Sequence, residues 1–234
     1  MNTLLLASTE ESTGKTAVAL ALGQLAKEGD RAVGYMKPKG TRLQSQVGKT
    51  LDADPMLARE LLDLDSEVHE MEPIVYSPTF IEGAIRGQEN PDELRERILG
   101  AYEGIAEDKD LVIVEGSGHY TTGNIVDLGD DVLADLFDAK VVLLERIESV
   151  TDIDRILGAV DQFGEHCEGI IFNAVTDSMY DLVESDIVPF LKGRGISVYG
   201  VVPRDRELAG VTLSDLTDEL GGEILTSTEE DVFV

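Results

Sequence analysis

The chain has one cysteine, Cys167, and no tryptophan. A single thiol excludes a disulfide framework and a cysteine-rich zinc site. Positive charge is scarce as well: 19 basic side chains, only 8 of them lysines, face 47 acidic ones, for a formal net charge of -28 over 234 residues. Such a surface is a poor partner for DNA, RNA or an anionic membrane, because phosphate recognition needs clustered Lys and Arg. No stretch approaches the roughly 18 apolar residues of a membrane helix. Residues 1–7 form a short apolar run with no basic segment ahead of it, leading straight into Ser/Thr/Glu. That pattern reads as a strand, not a signal peptide, so a cytoplasmic location is expected.

A core is nonetheless present. Hydrophobic residues make up 42% of the chain, too many for a disordered acidic tail. A folded, acidic, lysine-poor chain suits concentrated salt, where the Debye length falls to about 3 Å at 1 M and self-repulsion is screened. A halophilic origin is the expectation.

Apolar runs without alternation recur at 3–7, 32–36, 111–115, 140–144, 169–173 and 197–202, with a weaker one at 223–225. Continuous runs of this kind mark strands buried on both faces of a parallel sheet. Helical patterns lie between them at 16–28, 55–62, 91–106, 152–163 and 177–191. The alternation predicts one doubly wound α/β domain with a mostly parallel sheet over residues 1–234, fraying after about 226.

The first strand runs into Ser8-Thr9-Glu10-Glu11-Ser12-Thr13-Gly14-Lys15-Thr16. Its close, Gly-Lys-Thr before a helix, matches the end of the phosphate-loop pattern. In such a loop the backbone amides of Glu11, Ser12, Thr13, Gly14, Lys15 and Thr16 face phosphate oxygens. Lys15 reaches the outer phosphates, and the Thr16 hydroxyl can ligate magnesium. The first glycine of the pattern is Thr9, and two glutamates enter the loop. The competing reading is a Ser/Thr-rich turn that caps a helix.

Further polar residues fall at the same ends of other strands, where ligands bind in open α/β sheets. Glu115, followed by glycine, can hold Mg²⁺ or simply end a strand in a turn. Lys37 and Lys39 leave the second strand and suit a transferred phosphoryl group, or are solvated loop lysines. Asp52 and Asp54 precede a helix and serve either as caps or as magnesium-shell carboxylates. Asn173 offers an amide to a purine edge or forms an Asx turn. His119 and Tyr120 follow the glycine loop, in reach of a substrate. His69, His119 and His166 have no metal spacing, and Cys167 reads as a packing residue.

Taken together, the start Leu4-Leu5-Leu6-Ala7 through Gly14-Lys15-Thr16, Gly34-Tyr35-Met36-Lys37-Pro38, Val114-Glu115-Gly116, Asn173, Tyr199 to Asp205 and the closing 215–223 segment resemble the dethiobiotin synthetase-like P-loop ATPases. They resemble in particular the domain of that type at the N-terminus of long phosphate acetyltransferases. The resemblance implies a P-loop NTPase fold, ATP and Mg²⁺, and often a homodimer. It carries over a metal set of Thr16, Asp54 and Glu115 and two working lysines, Lys15 and Lys37. Asn173 would contact adenine, and Pro203 would open the loop that closes over the base. The chain departs from the synthetases at Ser8-Thr9-Glu10 and at Gly116-Ser117-Gly118-His119, where they carry Gly-Thr-Asp and Gly-Ala-Gly-Gly. The second change alters the loop that shapes the diaminopelargonate site. The acetyl-transfer module of the long enzymes is also missing, so acetyl transfer by this chain alone is not expected. The leading expectation is a Mg-ATP-dependent regulatory ATPase tied to acetyl-CoA or acetyl-phosphate metabolism, acting on a metabolic enzyme partner. An ATP-dependent C–N ligase and an inactive interaction module are the alternatives.

Overall fold

The computed structural model describes residues 2–205, apart from 42, 47 and 48, together with residue 217; for 43–46 and 49–51 it describes the backbone alone. The elements run β1 (Asn2–Ala7), α1 (Lys15–Glu28), β2 (Val33–Met36), β3 (Lys39–Gly40), β4 (Leu43–Gln46), β5 (Lys49–Asp52), α2 (Ala53–Leu61), α3 (Val68–Met71), β6 (Ile74–Val75) and α4 (Pro78–Ile85). They continue with α5 (Pro91–Ala106), β7 (Leu111–Glu115), α6 (Asp130–Phe137), β8 (Lys140–Glu145), α7 (Asp152–Phe163), β9 (Cys167–Val175), α8 (Asp177–Leu182), α9 (Val188–Gly193) and β10 (Val198–Pro203).

Among the described residues, six strands form one sheet in the order β10-β9-β8-β1-β7-β2, with every pairing parallel. The strands are apolar because helices cover both faces: Leu5, Leu6, Val112 to Val114, Val141, Leu143 and Leu144 are all fully buried. β1 lies at the centre. The chain leaves it for the β2 edge, returns through β7, then crosses to β8 on the other side. A crevice therefore opens beyond the carboxyl ends of β7, β1 and β8, at the point where the winding reverses.

Local chemistry sets the helices. Asn90 caps α5 by accepting from the Asp92 amide at 3.1 Å, and Pro91 occupies the first turn. Leu94, Ile98, Tyr102 and Ile105 follow at three- and four-residue spacing and bury one face. Tyr102 ties that face to the central strand through its hydroxyl, 2.6 Å from Thr3 Oγ1, and stacks on Phe137 of α6. Fully burying a side chain of this size contributes about 1.5–3 kcal/mol.

The expected strands match the sheet to within one or two residues, as do four of the expected helices. The helix expected over 177–191 is present, but it passes from α8 through a π-helical turn, Val183–Ile187, into α9. Pro189 accounts for the widened turn, since it has no N–H to donate and its ring crowds the carbonyl four residues back. The strand expected at 223–225, the tail after 226 and, apart from residue 217, the closing 215–223 segment lie outside the described residues.

Candidate active site

The loop after β1 wraps the start of α1. Gly14 sits at φ +93°, in the left-handed region, and a Cβ there would lie 2.5 Å from the Asn173 amide nitrogen. Both conditions demand glycine. Lys15 then turns back under the loop, donating to Ser8 Oγ at 2.5 Å and to the Gly118 carbonyl at 3.4 Å. Burial lowers the pKa of this ammonium, against the pull of Asp130, Glu115 and Glu145. A desolvated lysine beside a helix N-terminus is suited to receive phosphate oxygens.

Beside it stands Glu115, at the end of β7 and 2% exposed. The Thr16 hydroxyl donates to Oε1 and the Tyr35 hydroxyl to Oε2, each at 2.8 Å. Burial raises the Glu115 pKa, and Lys37 opposes that shift. The corner thus joins a hydroxyl to a carboxylate that has no cation in direct contact among the described residues, a hard-oxygen set that fits Mg²⁺. Asp54 lies near enough to push the Glu115 carboxyl up further. Among the described residues no three His, Cys, Asp or Glu side chains converge as a metal site by themselves. A magnesium ion held here would draw its remaining ligands from phosphate oxygens or water.

Lys37 is buried between Asp52 and Asp54, with Asp52 Oδ2 at 2.9 Å and Asp54 Oδ2 in short contact. Burial disfavours its charge, but Glu115, Asp54 and Asp52 outweigh that and hold its pKa above the ordinary value. Asp52 also caps α2, accepting from the Asp54 amide at 2.9 Å. Asp52 thus both caps and pairs, while Asp54 pairs with the same lysine. Behind them Glu72 accepts from the Asp52 amide at 2.7 Å, and burial pushes its pKa to about 7.

Lys39 corrects the expectation of a second phosphate-facing lysine on this loop. Its ammonium is 1% exposed and donates to the Thr122 carbonyl at 2.5 Å, to the Leu128 carbonyl at 2.6 Å and to Asp130 Oδ1 at 2.9 Å. Three acceptors satisfy its three protons, so it braces the loop that leads into α6.

The altered second loop packs closely on the first. Tyr120 donates its amide to the Ser8 carbonyl at 2.9 Å, and a Cβ on Gly118 would meet Glu11 Cγ at 2.7 Å. The Glu11 side chain therefore lies across Gly118. His119 stacks on Tyr120, and its Nδ1 faces the Thr121 amide at 3.2 Å and hydroxyl at 2.8 Å. Ser12 takes a positive φ of 56°, and Thr13 is buried. Asn173 donates its amide to the Thr13 carbonyl at 2.8 Å. Pro203 ends the edge strand β10, exposed and paired in register with Val175.

Three site residues escaped sequence reasoning. Tyr35 and Asp130 are hidden because their partners are distant in sequence. Glu145 carried a usable signal, an acid ending a buried apolar strand, the same signal that marked Glu115. It accepts from Thr9, opposite Arg155 of α7.

A family model described as an AAA domain matches residues 2–212. The ATP-dependent dethiobiotin synthetase of Methanocaldococcus jannaschii is 28% identical over 184 residues, 74% of this chain and 80% of that protein. The phosphate acetyltransferase of Pseudomonas putida is 28% identical over 243 residues, 97% of this chain but 33% of that protein. The chain thus spans about a third of the length of that acetyltransferase. Among solved structures, the MinC:MinD cell division protein complex of Aquifex aeolicus matches with a TM-score of 0.50 at 14% identity, over 89% of this chain and 84% of that chain. That likeness shows an α/β P-loop fold and nothing finer. With a model match over most of its length and relatives of this kind, the chain belongs to the AAA domain family and is a dethiobiotin synthetase-like P-loop protein.

Proposed function

We propose that the chain binds Mg-ATP in the crevice beyond β1 and works as a nucleotide-dependent regulatory ATPase in acetyl-CoA or acetyl-phosphate metabolism, with a metabolic enzyme as partner. The observation that carries the nucleotide part is the corner of Lys15, Thr16 and Glu115: a buried ammonium under a phosphate-type loop, next to a hydroxyl–carboxylate pair of hard oxygens. Asn173, already fixed to the loop through its NH₂, keeps its carbonyl oxygen for an adenine amine. Lys37, held charged by its two aspartates, would stabilise a transferred phosphoryl group. The regulatory part is supported by the second loop, where Glu11 covers Gly118 and His119 replaces a small residue of the synthetases. It is also supported by alignment with the acetyltransferases over nearly the whole of this chain.

A C–N ligase is the second reading, favoured by the complete Lys15, Thr16, Lys37, Asp54 and Glu115 set and by the archaeal synthetase match. Calorimetric titration of Mg-ATP in concentrated salt tests the shared part, with Lys15→Ala as control. Binding in the wild type and its loss in the variant are the expected results; absence of binding in the wild type overturns both readings. Phosphate release is then measured with and without diaminopelargonate and bicarbonate. Release indifferent to these two compounds favours the regulator, and stimulated release makes the protein a ligase.

A further inference from the structure

The start of the phosphate loop is built unlike its end. The pattern calls for glycine at position 9, where backbone freedom lets the loop close on phosphate. This chain has Thr9, 4% exposed. Its amide donates to Glu145 Oε1 at 2.8 Å and its hydroxyl to Glu145 Oε2 at 2.5 Å, so one carboxylate grips two points of one residue. Glu145 ends β8, the strand next to β1, and is fully buried.

Arg155, on the first turns of α7, closes the arrangement. It donates to the Thr9 hydroxyl oxygen, to Glu145 Oε2 at 3.0 Å and to the Arg146 carbonyl at 3.1 Å. The same guanidinium lies 3.3 Å from Glu10 Oε2 and 3.5 Å from Asp152 Oδ1. It therefore spans two successive loop residues and the strand-end carboxylate together. Only a planar fork of donors can do this; an ammonium is a single point of charge.

We propose that Thr9, Glu145 and Arg155 form a clasp that holds residues 8–13 in their nucleotide-receiving shape, with Arg155 as a positioning residue. The proposal rests on the nucleotide-binding reading above. Where the pattern has a glycine with its backbone freedom, this loop is held by side chains, which removes part of the ordering cost of binding. A merely structural ion pair between α7 and β8 would need neither the Thr9 hydroxyl nor Glu10. Both are engaged, and both belong to the loop. The clasp also keeps the Glu145 carboxyl within electrostatic range of Lys15.

The test compares wild type, Thr9→Val, Thr9→Gly, Arg155→Met, Arg155→Lys and the Thr9→Gly/Arg155→Met double variant, all as the full chain. Thr9→Val removes the hydroxyl at nearly constant volume and keeps the amide, so it remains informative should Arg155→Met fail to fold. The first readout is amide hydrogen exchange of residues 8–13 without nucleotide. Exchange there rises by about tenfold in Arg155→Met and by less in Thr9→Val, while protection in α5 and β7 stays at the wild-type level. The second is Mg-ATP affinity by calorimetry, which falls by about tenfold in Arg155→Met and is not restored by Arg155→Lys. The double variant loses no more affinity than the worse single one, because both changes open the same clasp. Unchanged loop exchange in Arg155→Met or Thr9→Val, or additive losses in the double variant, overturns the proposal. Should the wild type bind no ATP, the functional reading fails, and hydrogen exchange still decides for or against the clasp.

Discussion

Two glutamates flank the central strand in parallel positions and do different work. Glu115 ends β7 and Glu145 ends β8, each beside β1 and each buried, and burial raises the pKa of both. Glu145 meets an amide, a hydroxyl and a guanidinium, so protein groups answer its charge. Glu115 meets two neutral hydroxyls, with Lys37 in electrostatic range but committed to Asp52 and Asp54. The first carboxylate is tied to a loop residue and an arginine; the second is tied to two hydroxyls, one of them on the phosphate-type loop's helix. An acid at the end of a buried strand thus has no fixed meaning. The groups facing it decide whether it is a brace or a ligand.

The sharpest way to break this contrast lies between the two. Lys15 feels both carboxylates, and Lys15→Ala is expected to lower Mg-ATP affinity by about a hundredfold or more, near 3 kcal/mol, by titration calorimetry. Next, Glu115→Gln should weaken ATP binding about tenfold and abolish its dependence on Mg²⁺ concentration. Glu145→Gln should leave that dependence in place. Equal behaviour of the two variants in a magnesium titration would erase the distinction drawn here.

Acid–base behaviour sharpens it further. Burial pushes Glu145 to about 7, above its ordinary 4.5, so the folded state holds a proton that the unfolded chain has already released. The stability this group contributes is complete below about pH 4.5 and is lost as pH rises through about 7. Chemical denaturation between pH 5 and 8 should show that loss, of order 1–3 kcal/mol, and Glu145→Gln should flatten the slope by that amount. A slope unchanged by the substitution would place Glu145 outside this pH range. Finally, Tyr102→Phe removes the bond to Thr3 on the amino end of β1, away from both glutamates. It should cost about 1 kcal/mol in denaturant melts and leave nucleotide affinity alone.

Much of this was legible in the linear chain. Continuous apolar runs mark the strands because a parallel sheet buries both faces, and Gly14-Lys15-Thr16 before a helix marks the loop because few other contexts need that combination. Other features were harder to read. Asp130 looks like one acid among 47, yet it is fully buried against Lys39, 91 residues away in sequence. Helix α6 is hard to see in the sequence, although Leu133, Ala134 and Phe137 carry the spacing of a buried face, because three aspartates dilute its apolar pattern. The π-helical turn ahead of Pro189 is foreseeable, since proline inside a helical pattern removes a donor and crowds the preceding turn.

Composition, strand and helix periodicity and the glycine–lysine–threonine loop determined the fold class and the end of the sheet where the chemistry lies, because these depend on residues close in sequence. What each lysine and carboxylate does was decided only by the fold. Lys37 and Lys39 stand two residues apart on one loop, yet one sits between aspartates in the crevice and the other is sealed behind it. Glu115 and Glu145 end neighbouring strands, yet one faces hydroxyls and the other a guanidinium. A buried charge takes its role from its partners, and those partners come from elements that meet only when the sheet is assembled.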